Sequence, residues 1–135
     1  MKIQDIQNLF IRMGMEADFR GKDGVQNFLD DKKKRFEKLS EQEKQDFDKD
    51  ALENPYLDSG IYNISDDKEI KKVLVGIDIS PAEILIAKEL GDIDLIIAHH
   101  PIGKGLAQLA DVMNLQCDVL SYYGVPINIS EGLMK

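Results

Sequence analysis

A chain of 135 residues with 43% hydrophobic and 31% charged side chains suits one compact unit with its own core and is short for two full domains. Its single cysteine, Cys117, excludes an internal disulfide framework, and no apolar run approaches the roughly 18 residues of a membrane-spanning helix. Seventeen Lys and Arg against 25 Asp and Glu leave a formal charge of −8, a field that repels phosphate backbones and argues against a nucleic-acid partner.

No cationic stretch followed by an apolar run opens the sequence, so no secretory signal is visible and the expected location is cytoplasmic. Residues 1–70 carry 12 basic and 17 acidic side chains and residues 71–135 carry 5 and 8, so the two parts differ in charge density and not in sign. The expected organisation is a charged helical segment over 1–60 and an α/β half-domain over 61–135, forming one compact unit.

In chain order, Ile3, Ile6, Phe10 and Met13 recur at helical spacing, which predicts a helix over 2–14 that stops at Gly14. A second helix is expected over 23–39, with Val25, Phe28, Leu29, Phe36 and Leu39 as its apolar stripe. The basic run Lys32-Lys33-Lys34-Arg35 is flanked by Asp30, Asp31 and Glu37 and reads as a solvated helix face. Ser40-Glu41-Gln42-Glu43 has the form of a capping box and starts a third helix. Asn54 to Gly60 is turn chemistry, followed by a short strand over 61–65.

From Lys72 the pattern changes. Val73-Leu74-Val75-Gly76-Ile77 is an apolar, β-branched run of the kind buried on both faces of a parallel sheet. Ser80-Pro81 opens a helix with Ile84, Ala87 and Leu90 on one face and a stop near Gly91. Asp94 to Ala98 predicts a second strand, 105–123 a helix that breaks near Asn114, and 125–129 a third strand after Gly124. The order is βαβαβ, an α/β fold with a parallel or mixed sheet flanked by helices.

In such sheets ligands bind beyond the carboxyl ends of the strands. Asp78 stands just past the first strand run, and His99-His100-Pro101 just past the second; these are the chain's two histidines. Neighbouring residues on a strand point to opposite sides, so the pair could serve two metals from one backbone position, with Pro101 stiffening the exit. A dinuclear site would let a bound water deprotonate near neutral pH and attack an ester or phosphoryl centre. Two imidazoles do not complete a three- or four-ligand shell. The remainder falls to carboxylates such as Asp78 or Asp94, to a second subunit, or to residues outside this chain; two ordinary surface histidines are the alternative.

Gly103-Lys104-Gly105 could present backbone N–H groups to an anion, although the full phosphate-loop pattern is missing; the alternative is two glycines shaping a loop with Lys104 exposed. No dinucleotide fingerprint follows the first strand run. Cys117 reads as packing, Tyr123 as part of a helix stripe and Tyr122 as exposed.

With Val73-Leu74-Val75-Gly76-Ile77-Asp78 followed by Asp94-Leu95-Ile96-Ile97-Ala98-His99-His100-Pro101, the chain resembles the NIF-three-like family, the YbgI-like proteins. The lead-in through Asn54-Pro55-Tyr56 and the segment Tyr123-Gly124-Val125-Pro126-Ile127-Asn128 are similar to the amino-terminal half of a longer bacterial branch. The resemblance implies an α/β fold, a dinuclear site of divalent metals (Zn, Fe or Mn) with His99 and His100 each on one ion, and ring-like homo-oligomers, often hexamers built from dimers. Members are often labelled GTP cyclohydrolase homologues or metal-dependent hydrolases.

In that family a bridging carboxylate and a His/Glu pair come from a region beyond the last predicted strand, and Lys135 ends this sequence soon after it. The carry-over therefore reaches His99 and His100 as ligands and Asp78 as a near-site carboxylate. The expectation is a fragment, a split-gene product or a remnant with half a metal site. Two functions follow: a metal-binding, hydrolase-like protein whose incomplete site leaves this chain inactive alone, or a non-catalytic interaction and oligomerisation module.

Overall fold

The computed structural model describes residues 1–103 and 109–134. The chain forms two compact units, Gln4–Ser59 and, separately, Met1–Ile3 with the residues from Gly60 onward.

The first unit is helical. Helix α1 (Ile3–Ala17) runs three residues past the expected stop at Gly14. The reason is steric: a Cβ on Gly14 would lie 2.7 Å from Cε2 of Tyr56, so this glycine permits a close ring contact within the helix and does not end it. The chain breaks at 18–20 instead, and Gly21, at φ +68°, opens α2 (Gly21–Glu37). That helix drives Val25, 1% exposed, and Leu29 into the core; of the basic run, Lys33, Lys34 and Arg35 are exposed as expected, while Lys32 is half-buried with its Nζ over the Phe28 ring, 5.0 Å from the centroid.

Ser40 caps α3 (Glu41–Asp46) as expected: its hydroxyl accepts from the Glu43 N–H, and the Glu43 carboxylate accepts from the Ser40 N–H at 2.8 Å. Phe36 and Phe47 pack with ring centroids 4.9 Å apart on either side of this short helix. A 3₁₀ turn (Lys49–Leu52) capped by Asp48 then buries Ala51.

Two polar clusters hold the helical unit. Buried Asn54 donates to Asp50 Oδ2 at 3.1 Å and to the Ser59 carbonyl at 2.6 Å, and its Oδ1 accepts from the Tyr56 N–H at 2.9 Å. This is the physical content of the turn over 54–60. Asp18 accepts from Arg20 Nε at 3.0 Å, Arg20 Nη2 at 2.8 Å and the Tyr56 hydroxyl at 2.9 Å. The Arg20 guanidinium holds the Asp18 carboxyl down at about 2, and burial beside that carboxylate pushes the Tyr56 phenol up to about 12. Arg20 also lies over the Phe28 ring, 5.0 Å from its centroid.

The second unit is a β-α-β element with further helices, so the α/β class holds. Strands β1 (Val73–Ile79) and β2 (Leu95–Pro101) pair in parallel through α4 (Pro81–Leu90). Ser80 and Glu83 form a second capping box ahead of Pro81, and Gly91, at φ +75°, closes the helix in the left-handed conformation. Asp94 receives the Lys71 and Lys72 N–H groups at 3.0 and 2.9 Å and pairs with Lys68 at 2.8 Å, tying the entry of β1 to the entry of β2.

Beyond β2, α5 (Leu109–Tyr122) continues unbroken through Asn114, and the expected helical residues 105–108 lie outside the described residues. The third predicted strand is not formed. After Gly124 the chain makes α6 (Ile127–Leu133), because the Pro126 carbonyl accepts from the Ile129 and Ser130 N–H groups, and the fully buried Ser130 hydroxyl donates to it at 3.3 Å. The β-branched run 125–129 is therefore overridden by local hydrogen bonding at its proline. Residues 61–65 form no strand either, and among the described residues the sheet has two strands.

The open faces of this unit stand out. Val75 and Ile77, on one face of β1, are 69% and 66% exposed, and Ile84, Leu85, Ile86 and Leu90 of α4 are each more than half exposed. Of the stripe expected on α4, only Ala87 is buried.

Candidate functional site

Parallel pairing sets the site. The register aligns Asp78 with His100 and Ile79 with Pro101, so the carboxyl ends of β1 and β2 bring one carboxylate beside one imidazole. His100 Nδ1 and Asp78 Oδ1 are 3.1 Å apart, and both side chains are open to solvent, at 60% and 83% exposure.

His99 completes the group in a way that strand alternation does not anticipate. The His99 and His100 rings stack with centroids 4.3 Å apart and planes 27° from parallel, instead of projecting to opposite sides. Among the described residues the sheet has two strands and no layer holds each ring on its own face, and the flat imidazoles turn onto one another. The result is a double-imidazole patch with a carboxylate on one flank.

Asp94, the other carboxylate considered for this site, sits at the opposite end of β2, where the Lys68 ammonium and the Lys71 and Lys72 N–H groups hold its carboxyl at about 2. It is a structural anchor and does not reach the histidines. Of the glycine loop, Gly103 has φ +106°, a conformation suited to glycine, while Lys104 and Gly105 lie outside the described residues. Cys117 is buried on α5, in keeping with packing. Tyr123 is exposed like Tyr122 and makes an edge-on contact with it at 5.4 Å, so it is not part of a buried stripe.

The helical unit adds a feature that no motif signals. A cleft of about 510 Å3 opens among α1, α2 and the 3₁₀ turn, with Ile11, Met15 and Val25 among its apolar walls and Arg12, Lys22 and Glu53 among its charged ones. It arises from tertiary packing of residues far apart in sequence, so periodicity could not reveal it.

The fold and site define an α/β protein with a histidine pair at a strand end. A family model described as Duf34/NIF3 (NGG1p interacting factor 3) matches residues 37–116, which contain α3, β1, α4, β2 and the His-His-Pro run. The match covers more than half of the chain, and the protein belongs to this family. No curated protein and no solved structure matches it.

The donor set bears on the metal that the family resemblance implies. Two imidazoles suit borderline divalent ions such as Zn, Fe or Mn, and the carboxylate beside them is compatible with such an ion. Among the described residues, no group of three or more His, Cys, Asp and Glu is gathered closely enough to hold a metal ion. The residues present fit part of a coordination shell.

Proposed function

We propose that this NIF3-family protein binds divalent metal through His99 and His100, and that the site belongs to a metal-dependent hydrolase completed by ligands from another chain or segment. One observation carries this reading: the only two imidazoles of the chain lie together at the strand ends with Asp78 hydrogen-bonded to one of them. When bound there, Zn, Fe or Mn would supply an activated water and a Lewis acid for an ester or phosphoryl centre. The chain's own part is to present two neutral imidazole nitrogens, to keep them paired by ring stacking, and to hold a carboxylate against His100. A cytoplasmic setting and a homo-oligomer accord with this reading.

The test is metal content. Protein repleted with Zn, Mn or Fe and freed of excess should retain one to two ions per chain by elemental analysis, and His99→Ala should lower that number. No retained metal, or a value unchanged by His99→Ala, would sink the assignment.

A second reading has its own observation. Parallel strands are ordinarily covered on both faces, yet Val75 and Ile77 leave β1 open on one. A non-catalytic module that pairs with a second copy of itself through this face would explain the exposure. Sedimentation across a concentration series separates the readings: concentration-dependent dimers without retained metal favour the module.

A further inference from the structure

We infer that Asp78 is a positioning residue that holds His100 in the Nδ1–H tautomer and so turns its Nε2 lone pair outward as the ligating nitrogen. The inference rests on the metal-site reading above, and deepens it by naming which nitrogen faces the ion and what selects it. A carboxylate accepts and does not donate, so the 3.1 Å contact between Asp78 Oδ1 and His100 Nδ1 requires the proton on Nδ1. A neutral ring then has its free lone pair on Nε2, the nitrogen farther from the backbone.

The parallel register supplies the contact, because Asp78 and His100 are direct partners across β1 and β2. The stack with His99, at 4.3 Å and 27°, restrains the same ring in a second direction. One contact selects the tautomer and the other limits rotation. Partners of this kind orient metal-binding imidazoles and typically change affinity 10–100-fold.

His99 is the internal control. Among the described residues it has the ring stack and no carboxylate at either nitrogen. Its tautomer is therefore not selected, although its ring is shielded by the same neighbour.

The experiment reads the two rings in the metal-free protein, by long-range proton–nitrogen correlation NMR at a pH where imidazole is neutral. His100 is expected as Nδ1–H and His99 as a mixture. Asp78→Ala should move His100 to a mixture, while Asp78→Asn, which keeps an oxygen acceptor, should retain part of the bias. Zinc titration of the same proteins should show affinity falling roughly 10–100-fold in Asp78→Ala and less in Asp78→Asn. Asp78 is 83% exposed, so neither variant removes core packing.

Wild-type His100 found as Nε2–H, or zinc affinity equal in wild type and Asp78→Ala, would overturn the positioning role. Wild-type protein with His100 held as Nδ1–H and no zinc uptake would instead overturn the metal-site reading and leave the tautomer selection standing.

Discussion

The helical unit and the α/β unit solve the same problem differently. In the first, polar groups face inward and answer one another: Asp18, Arg20 and Tyr56 form a closed cluster, and Asn54 uses both ends of its amide. In the second, apolar side chains of β1 and α4 face outward, and the chemically able residues sit on an open strand end. The difference teaches where stability and function are invested. A buried ionic cluster with satisfied hydrogen bonds fixes one geometry but cannot greet a ligand. An exposed histidine pair on a short sheet can, at little cost in stability if removed.

The largest expected effect therefore lies away from the candidate site. Arg20→Ala leaves the Asp18 carboxylate, 4% exposed, without its cation and should destabilise the helical unit by about 3 kcal/mol. Urea unfolding measures the total, and residue-resolved hydrogen exchange localises it: amides of α1 and α2 should lose protection while those of β1 and β2 serve as the reference. Equal loss in both units would break the contrast drawn above.

Acid is the next lever on that cluster. The Asp18 pKa falls from 3.8 unfolded to about 2 folded, so its contribution is present above pH 3.8 and is lost as pH falls through about 2. The contribution is on the order of 2 kcal/mol. Asp94 is also lowered to about 2, chiefly by Lys68, but solvent screening makes its share smaller. Stability of the helical unit should thus fall more steeply than that of the α/β unit between pH 4 and pH 2, and Asp18→Asn should flatten the curve.

Legibility in the sequence follows the range of the interactions. The β1-α4-β2 element is visible because its signals are local: two apolar β-branched runs, a Ser-Pro helix start and a glycine stop. The placement of His99, His100 and Asp78 at strand ends follows from that element alone. What needed tertiary information was not visible. Gly14 reads as a stop until Tyr56 is found against it. The strand expected over 125–129 fails for a local reason instead, because hydrogen bonds onto the Pro126 carbonyl outweigh the β-branched run. The stacking of His99 on His100 depends on the absence of a covering layer among the described residues, which no local pattern encodes. Asp18 and Tyr56, 38 residues apart, form a contact that helical spacing does not predict.

Both units use a capping box, and the one in the α/β unit tests its crossover at a smaller scale. Ser80→Ala removes the hydroxyl that accepts from the Ala82 N–H at 3.2 Å and donates to Glu83 Oε2, leaving the Glu83 carboxylate only the residue-80 backbone N–H, for an expected loss of about 1 kcal/mol. Because α4 connects the two strands, protection should fall at β1 and β2 as well as at α4. Loss confined to α4 would show that the sheet holds without its crossover helix.

The smallest effect is the most diagnostic of the open sheet face. Val75 is 69% exposed, so Val75→Thr should change the stability of an isolated chain by no more than about 0.5 kcal/mol. If a second copy covers that face, the same substitution places a hydroxyl in an apolar contact, and the cost rises with protein concentration, because anything that binds only the folded form stabilises it by mass action. Unfolding curves at two concentrations a hundredfold apart give the answer. A small cost independent of concentration keeps the face a solvent-exposed surface, whereas a cost that grows with concentration makes it an interface and moves the α/β unit from an open design to a shared one.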